Sequence, residues 1–304
     1  MSALTRPTSA FSVDVEDYFH VEAFSQDVPR DAWTTYPSRV VRNTTTLLDL
    51  LDRYHVRGTF FILGWVAQRE PGLVREIRDR GHELGCHSML HRLIYRLSAH
   101  EFEEDTKAAK DAIEQAAGKE IGGYRAPTFS ITSKSLWALD VLARCGFRFD
   151  SSIYPITHDN YGMPGSPRAP YAIAADTGAG GSARVAEFPI SAFRMLGRDL
   201  PVAGGGYLRM LPWWYNRAGI DRILDEQRPA MVYVHPWEID PEQPRIKTRL
   251  RSRLRHYTNL GGMQARLERL LERYAFAPVG EVLAQMPLAD YRIDRERGAL
   301  VATA

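Results

Sequence analysis

His87 and His91 stand four residues apart in Gly85-Cys86-His87-Ser88-Met89-Leu90-His91, downstream of a carboxylate cluster, Asp14-Val15-Glu16-Asp17. Imidazoles at that spacing can converge on one divalent ion, and a carboxylate from another strand completes three ligands with positions left open for water. An open site of this kind implies chemistry rather than structural binding. A lone pair of histidines four apart also arises by chance on a helix surface, so the surroundings decide. Three more polar groups follow at the ends of short β-like runs: Arg125-Ala126-Pro127, Asp150-Ser151-Ser152 and Val234-His235-Pro236. Packing alone does not account for five such punctuations.

The elements that must position these residues alternate between β-like and helical, which predicts parallel strands with crossover helices. Phe11, Val13 and Val15 alternate with Ser12, Asp14 and Glu16, so a strand here places Asp14 and Glu16 on one face. Helical spacing predicts a helix from Val40 to Tyr54, and Gly58 to Leu63 reads as a buried strand. Pro71 opens a helix that Gly81 closes, and Glu83 to Cys86 delivers His87 at a strand end. Ser98 and Glu101 form a capping box for a helix running to about Gly118, which leaves His91 in the loop before it. Further helices are expected over 134–145, 213–227 and 261–274, and strands at 124–126, 147–150, 186–190 and 230–235. The Pro-, Gly- and Ala-rich stretch 157–184 reads as a surface excursion with at most short strands.

At 304 residues and 44% hydrophobic, the chain is long enough for one α/β barrel. The domain reading is a single catalytic domain over 8–288, with a distinct C-terminal part from about 195 and a loosely held tail over 289–304. Net charge is +2 from 39 basic and 37 acidic residues, so no global field favours nucleic acid, and the basic stretch Arg245 to Arg255 is a local exception. Two cysteines, Cys86 and Cys145, are too few for a disulfide framework and fit a reducing compartment. Neither an apolar leader in Met1 to Ala10 nor a run long enough to span a membrane is visible. The expectation is a soluble cytoplasmic protein, with the inner face of the membrane as an alternative place of action.

Taken in order, Ser12-Val13-Asp14, His87 to His91, Arg125-Ala126-Pro127, Asp150-Ser151-Ser152 and Val234-His235-Pro236 resemble the motifs of the NodB-like polysaccharide deacetylases, a family of metal-dependent carbohydrate esterases. The likeness covers about residues 10 to 240. Phe11 to Phe24, Gly204-Gly205-Gly206-Tyr207-Leu208-Arg209 and His235-Pro236-Trp237-Glu238 further resemble the branch associated with exosortase and exopolysaccharide gene clusters. The fold this implies is a distorted (β/α) barrel of about seven parallel strands.

The resemblance implies one divalent cation, zinc first with iron, cobalt or nickel as alternatives, and N-deacetylation of an N-acetylated oligo- or polysaccharide with release of acetate. It casts Asp14 as the base, His235 as the acid that protonates the leaving amine, and Arg125 as the partner of Asp14. Asp150 either orients His235 or caps a turn. Many family members have two adjacent aspartates, the second of which binds metal; here Val15 follows Asp14, so Glu16 and Asp17 both remain candidates, with Glu16 favoured by its shared face with Asp14. Tyr154, Tyr207 and Trp237 are the expected walls of the sugar cleft, since amphipathic rings stack on sugars. A cyclic-imide or other amide hydrolase and a sugar-binding pseudoenzyme are the competing readings. Oligomeric state is left open.

Overall fold

Strand β1 (Ser9–Val15) is buried along its whole length, as a central strand of a parallel sheet covered on both faces must be. In the computed structural model, which describes residues 6–303, it pairs with neighbours on both edges. The strands that follow are β2 (Thr59–Ile62), β3 (Glu83–Cys86), β4 (Gly123–Tyr124), β5 (Phe149–Asp150), β6 (Tyr171–Gly178), β7 (Gly181–Glu187), β8 (Ala192–Met195), β9 (Arg198–Pro201), β10 (Met231–Val234), β11 (Phe276–Ala277), β12 (Ala289–Asp294) and β13 (Ala299–Ala302). The series β10-β1-β2-β3-β4-β5-β7 is parallel throughout. This is the α/β class with parallel strands that the alternating pattern predicts. A ladder joining β7 to β10, which would close the series into a barrel, is not among the pairs of the described residues. The two ends do meet through a side chain, because Met231 N donates to Ser191 Oγ at 2.7 Å.

Helices α1 (Val40–Arg53), α2 (Gly64–Arg69), α3 (Pro71–Asp79), α4 (Ala99–Ala117) and α5 (Trp137–Arg144) lie in the crossovers between the early strands. The later ones are α6 (Gly205–Met210), α7 (Trp213–Asp225), α8 (Leu250–Tyr257), α9 (Met263–Arg273) and α10 (Val279–Ala284). Local chemistry sets several boundaries. Ser98 and Glu101 cap α4 reciprocally, with Glu101 N donating to Ser98 Oγ at 3.2 Å and Ser98 N to Glu101 Oε2 at 2.8 Å. Gly118 ends it in the left-handed conformation at φ 65°. The apolar stripe of α4, including Phe102, Ala109 and Ile113, packs into the main core beneath β2 to β4.

Two expectations are corrected. The stretch 157–184 is not an irregular excursion throughout: β6 and β7 form a long antiparallel hairpin, and β7 joins the sheet beside β5. Alanine, glycine and polar residues make up most of both strands, and Tyr171, Ile173 and Val185 are too few to mark them as strands in sequence. The expected loose tail over 289–304 is also structured, since β12 pairs in parallel with β6 and β13 turns back along it. β12 reads Ala-Asp-Tyr-Arg-Ile-Asp, largely polar, and β13 is only four residues long, so neither stands out before its neighbour is in place.

Candidate active site

The site gathers at the carboxyl ends of β1, β3, β4 and β10, where α/β sheets open their loops. Asp14 is the penultimate residue of β1. The chain then turns, with Glu16 N donating to Asp14 O at 3.0 Å, and this turn separates the fates of the two candidate carboxylates. Glu16 points into the cleft, where its Oε2 lies 2.9 Å from His91 Nε2. Asp17 turns away to the start of α1. Its Oδ2 accepts from Ser38 Oγ at 2.8 Å, Arg39 N at 2.8 Å and Val40 N at 3.1 Å, while Oδ1 accepts from Tyr18 N at 3.0 Å. Of the two carboxylates carried from the sequence, Asp17 is therefore the helix cap rather than a member of the cluster.

Glu16, His87 and His91 are buried and present ligand atoms that lie within 4.8 Å of one another. The donor set fits a divalent cation. Glu16 Oε2 is buried without a hydrogen-bond partner, an arrangement that costs free energy unless something else satisfies it. His87 Nδ1 faces the Arg125 carbonyl at 2.9 Å, which leaves its other nitrogen for the cleft and holds the ring in place. Burial is the main reason that the His87 pKa falls to about 4, so this imidazole is neutral near pH 7, the form that ligates. Burial opposes ionisation of Glu16, but His91, His235 and His87 around it reverse the effect and hold its carboxyl well below the ordinary range. Ser88 and His91 both have positive φ, 63° and 50°, and Ser88 Oγ accepts from His91 N at 3.1 Å. The loop that presents the two imidazoles is thus fixed from within.

Arg125 is fully buried and makes a complete set of contacts. Its Nη1 donates to Asp14 Oδ1 and Ser12 Oγ at 2.8 and 2.7 Å, its Nε and Nη2 to Ser151 O and Oγ at 3.0 and 2.8 Å. The guanidinium also lies 4.3 Å from the Phe61 ring centre. An ion pair this deep is tolerated only because its donors are satisfied. It places a fixed positive charge on one oxygen of Asp14 and leaves the other, Oδ2, toward the cleft, 3.8 Å from His235 Nε2.

His235 follows β10 and points Nε2 toward both Asp14 Oδ2 and Glu16 Oε1, each at 3.8 Å. Its Nδ1 faces Glu238 Oε2 at 3.2 Å, and the same oxygen accepts from His235 N at 3.0 Å. Glu238 Oε1 in turn accepts from Arg209 Nε at 2.7 Å. Burial pulls the His235 pKa down, yet Glu238 first, then Glu16 and Asp14, more than reverse this and raise it to about 9. Glu238 is held at about 2: burial opposes its ionisation, and Arg209 and His235 outweigh burial. The expectation that Asp150 might orient His235 is corrected, because Glu238 has that place. Asp150 Oδ1 accepts from Ser152 Oγ at 2.6 Å, and Ser152 Oγ accepts from Ala126 N at 2.8 Å. Asp150 also meets Glu187 carboxyl to carboxyl inside the protein. Burial raises both carboxyls above their ordinary values, and the like charge of Asp150 raises Glu187 further. The role of Asp150 is to brace the loop that carries Arg125.

Glu238 and Arg209 were not assigned from the sequence. Glu238 had a local signal, since Pro and Glu at the first and third positions after His235 form a helix-start pattern whose acid reaches back. Arg209 stood only at the end of the motif Gly204 to Arg209, with no local chemistry to join it to Glu238, 29 residues on. The glycines before it have a visible reason: a Cβ on Gly204 would meet the Tyr233 ring, and Gly205 has φ 46°. Only chain without side chains passes this close to β10.

The cleft above these groups has a volume of about 490 Å³, with Tyr161, Tyr207, Phe129 and Arg96 among its walls. Tyr207 is a wall as expected, and its hydroxyl lies 3.1 Å from that of Tyr161. Tyr154 is not a wall: it is 1% exposed, beneath Phe129 and stacked on Tyr161. Trp237 borders the cleft but stacks on His235 and His256 at 5.0 and 4.1 Å, and its Nε1 donates to Glu16 Oε1 at 3.2 Å. It positions the carboxylate rather than offering a free face to a sugar.

Residues 27–149 match the family model "Polysaccharide deacetylase", and residues 151–284 match a domain of unknown function, DUF3473. Among curated proteins, the chain is 38% identical over 86 residues to a peptidoglycan-N-acetylglucosamine deacetylase of Bacillus cereus, covering 27% of this chain and 40% of that one. It is 27% identical over 105 residues to the peptidoglycan-N-acetylmuramic acid deacetylase PdaA of Bacillus subtilis, covering 34% and 39%. A chitooligosaccharide deacetylase of a Bradyrhizobium species is 30% identical over 100 residues, covering 33% and 43%. The chain thus spans less than half the length of these relatives. A crystal structure described as a "putative polysaccharide deacetylase from Mycobacterium smegmatis" shares the fold across 93% of this chain and 92% of that one, with a TM-score of 0.60 and 20% identity. Asp14 and Glu16 precede both matched segments, while Arg209, His235 and Glu238 fall in the second. Residues 27–149, the segment similar to the polysaccharide deacetylase model, carry His87, His91 and Arg125.

Proposed function

We propose that this protein is a metal-dependent hydrolase that removes acetyl groups from N-acetylated amino sugars of a polysaccharide or its precursor. The observation that carries the reading is the meeting, in one cleft, of the Glu16, His87 and His91 cluster with Asp14 and His235, both aimed at it from separate strands. A cation held by these three ligands supplies an acidified water and polarises an amide carbonyl. Zinc suits two imidazoles and a carboxylate, as do iron, cobalt and nickel.

The chain's own residues supply the rest. Asp14, oriented by its ion pair with Arg125, accepts the proton of the attacking water through the oxygen that faces the cleft. His235, charged through its contact with Glu238, donates a proton to the departing sugar nitrogen, so that a neutral amine leaves in place of an amide anion. Acetate and a free amino sugar result. A pseudoenzyme that only binds sugar needs neither a carboxylate nor an imidazole aimed at the cluster, and both are held here by buried partners. Exopolysaccharide is the substrate class we favour, with action in the cytoplasm before export, on the strength of the resemblance of Phe11 to Phe24 and Gly204 to Arg209 to the exopolysaccharide-associated branch. The parallel series, joined end to end through Ser191, fits the distorted barrel of that family.

The test is acetate release from a panel of N-acetylated oligosaccharides by the purified protein after metal removal and reconstitution. Asp14→Asn and His235→Ala are expected to lose at least about 100-fold in kcat, as expected for loss of a general base or acid. Release of ring-opened product from cyclic imides, with acetylated glycans untouched, would replace this reading by imide hydrolysis.

A further inference from the structure

Helix α8 is the one place where the chain concentrates charge. Arg245, Lys247, Arg249, Arg251, Arg253 and Arg255 occupy alternate positions, all are exposed, and the sequence has no acidic residue between Glu242 and Glu268. Among the described residues none of the six pairs with a carboxylate. Arg255 meets His158, and Arg245 lies 4.2 Å from the Tyr257 ring centre. Six cations left free in this way are available to an outside anion.

The helix also carries apolar groups that its own fold does not cover. Leu250 and Leu254, one turn apart, are 69% and 59% exposed. With Tyr257 they form a stripe along one side of the helix, and His256 is buried on the other. Arg245, Leu250, Arg253, Leu254, Tyr257 and Thr258 enclose a shallow, mostly apolar depression of about 210 Å³. By helical geometry Arg251 and Arg253 flank the leucine stripe on either side. Leucines outward between arginines are the pattern of a helix that lies in a membrane interface, with apolar side chains among the acyl chains and long cationic ones reaching phosphates.

We propose that α8 and its basic flank dock on the surface of an anionic phospholipid bilayer. An acidic polysaccharide would account for the cations but not for two leucines held in water, and the stripe is what decides between them. The docking element is tied to the catalytic groups. Arg209, which holds Glu238, also donates through Nη1 to Thr258 O at 2.6 Å and through Nη2 to Arg255 O at 3.1 Å. Arg249 and Arg255 line the main cleft. A bilayer against α8 therefore lies at the mouth of the cleft, and an acetylated saccharide attached to a lipid would be presented there. That last statement rests on the deacetylase reading; the docking itself does not.

The experiment is flotation of the whole protein with vesicles of phosphatidylcholine alone and of phosphatidylcholine mixed with phosphatidylglycerol, without saccharide. Binding is expected to the mixed vesicles only and to weaken with salt. Arg251→Gln and Arg253→Gln are each expected to lower partitioning about fivefold. Leu250→Ser combined with Leu254→Ser, with every arginine retained, is expected to abolish it. None of these four residues lines the cleft, so acetate release from a short soluble substrate reports that the variants are folded. Failure of the parent protein to float, or undiminished flotation of the leucine variant, overturns docking; so does a change from dimer to monomer in that variant, which would give the stripe to a second copy. Flotation without acetate release leaves docking standing and refutes the deacetylase reading alone.

Discussion

Glu16 and Asp17 are neighbours in sequence with opposite predicted consequences when lost. The Asp17 carboxylate accepts four hydrogen bonds, three of them at the start of α1. Charge-assisted bonds at about 1.5 kcal/mol or more each would sum to roughly 6 kcal/mol. Burial works against that sum, since it raises the Asp17 carboxyl above its ordinary value despite these donors. Loss of a helix cap by itself costs about 0.5–2 kcal/mol. Asp17→Ala also leaves the buried Val40 N–H without its acceptor, and about 2–3 kcal/mol is the net expectation. In a chain of 304 residues that lowers Tm by roughly 3–5 °C. Glu16→Gln removes a ligand, and its loss of metal affinity is expected to exceed the roughly 10–100-fold that follows loss of an outer partner. Thermal melts in the presence of a chelator, beside metal content after equilibration with buffered zinc, separate the two. An Asp17→Ala protein with unchanged Tm and lost metal, or a Glu16→Gln protein that still loads one metal ion tightly, would refute the assignment.

The orientation of His235 gives a pH test. An imidazole with a raised pKa is charged below that value and loses its proton as pH rises through it, so a donor role predicts a basic limb in the activity profile. Glu238→Gln removes the largest upward influence on His235 and should move that limb to lower pH by about one unit or more; a bound cation lowers the starting value, and the direction of the shift is what decides. Asp150→Asn should leave the limb where it is, because Glu238 and not Asp150 is the carboxylate that faces His235 Nδ1. A limb that follows Asp150 instead would overturn the placement. Trp237→Phe keeps the stacked ring but removes the donor to Glu16 Oε1, and titration against competing chelator should show metal affinity reduced about 10-fold. Arg125→Met strands the buried Asp14 carboxylate, with an expected loss of about 3–5 kcal/mol in denaturant unfolding; a stability within 1 kcal/mol of the parent would show that the ion pair is not structural in the way described.

The sequence by itself determined what depends on near neighbours. Strand alternation set the inward face of β1 that carries Ser12 and Asp14, the Ser98 and Glu101 box started α4 at the right residue, and glycines and prolines marked where strands deliver His87, Arg125 and His235, whereas Glu16 is aimed by the turn that follows β1. These are consequences of a period of two or of one helical turn, and they survive without knowledge of the rest. Tertiary structure alone decided which groups face one another. Asp17 could not be read as a cap until the start of α1, more than 20 residues on, came to lie beneath it. Asp150 was aimed at His235 only by its position at a strand end, and Glu187, hidden in a hairpin of small residues, is its actual neighbour. Tyr154 and Trp237 were read as sugar platforms from residue type, but burial under Phe129 and stacking with two imidazoles give them other work. Burial, and the partner a buried polar group finds, belong to the packed sheet and not to any short stretch of chain.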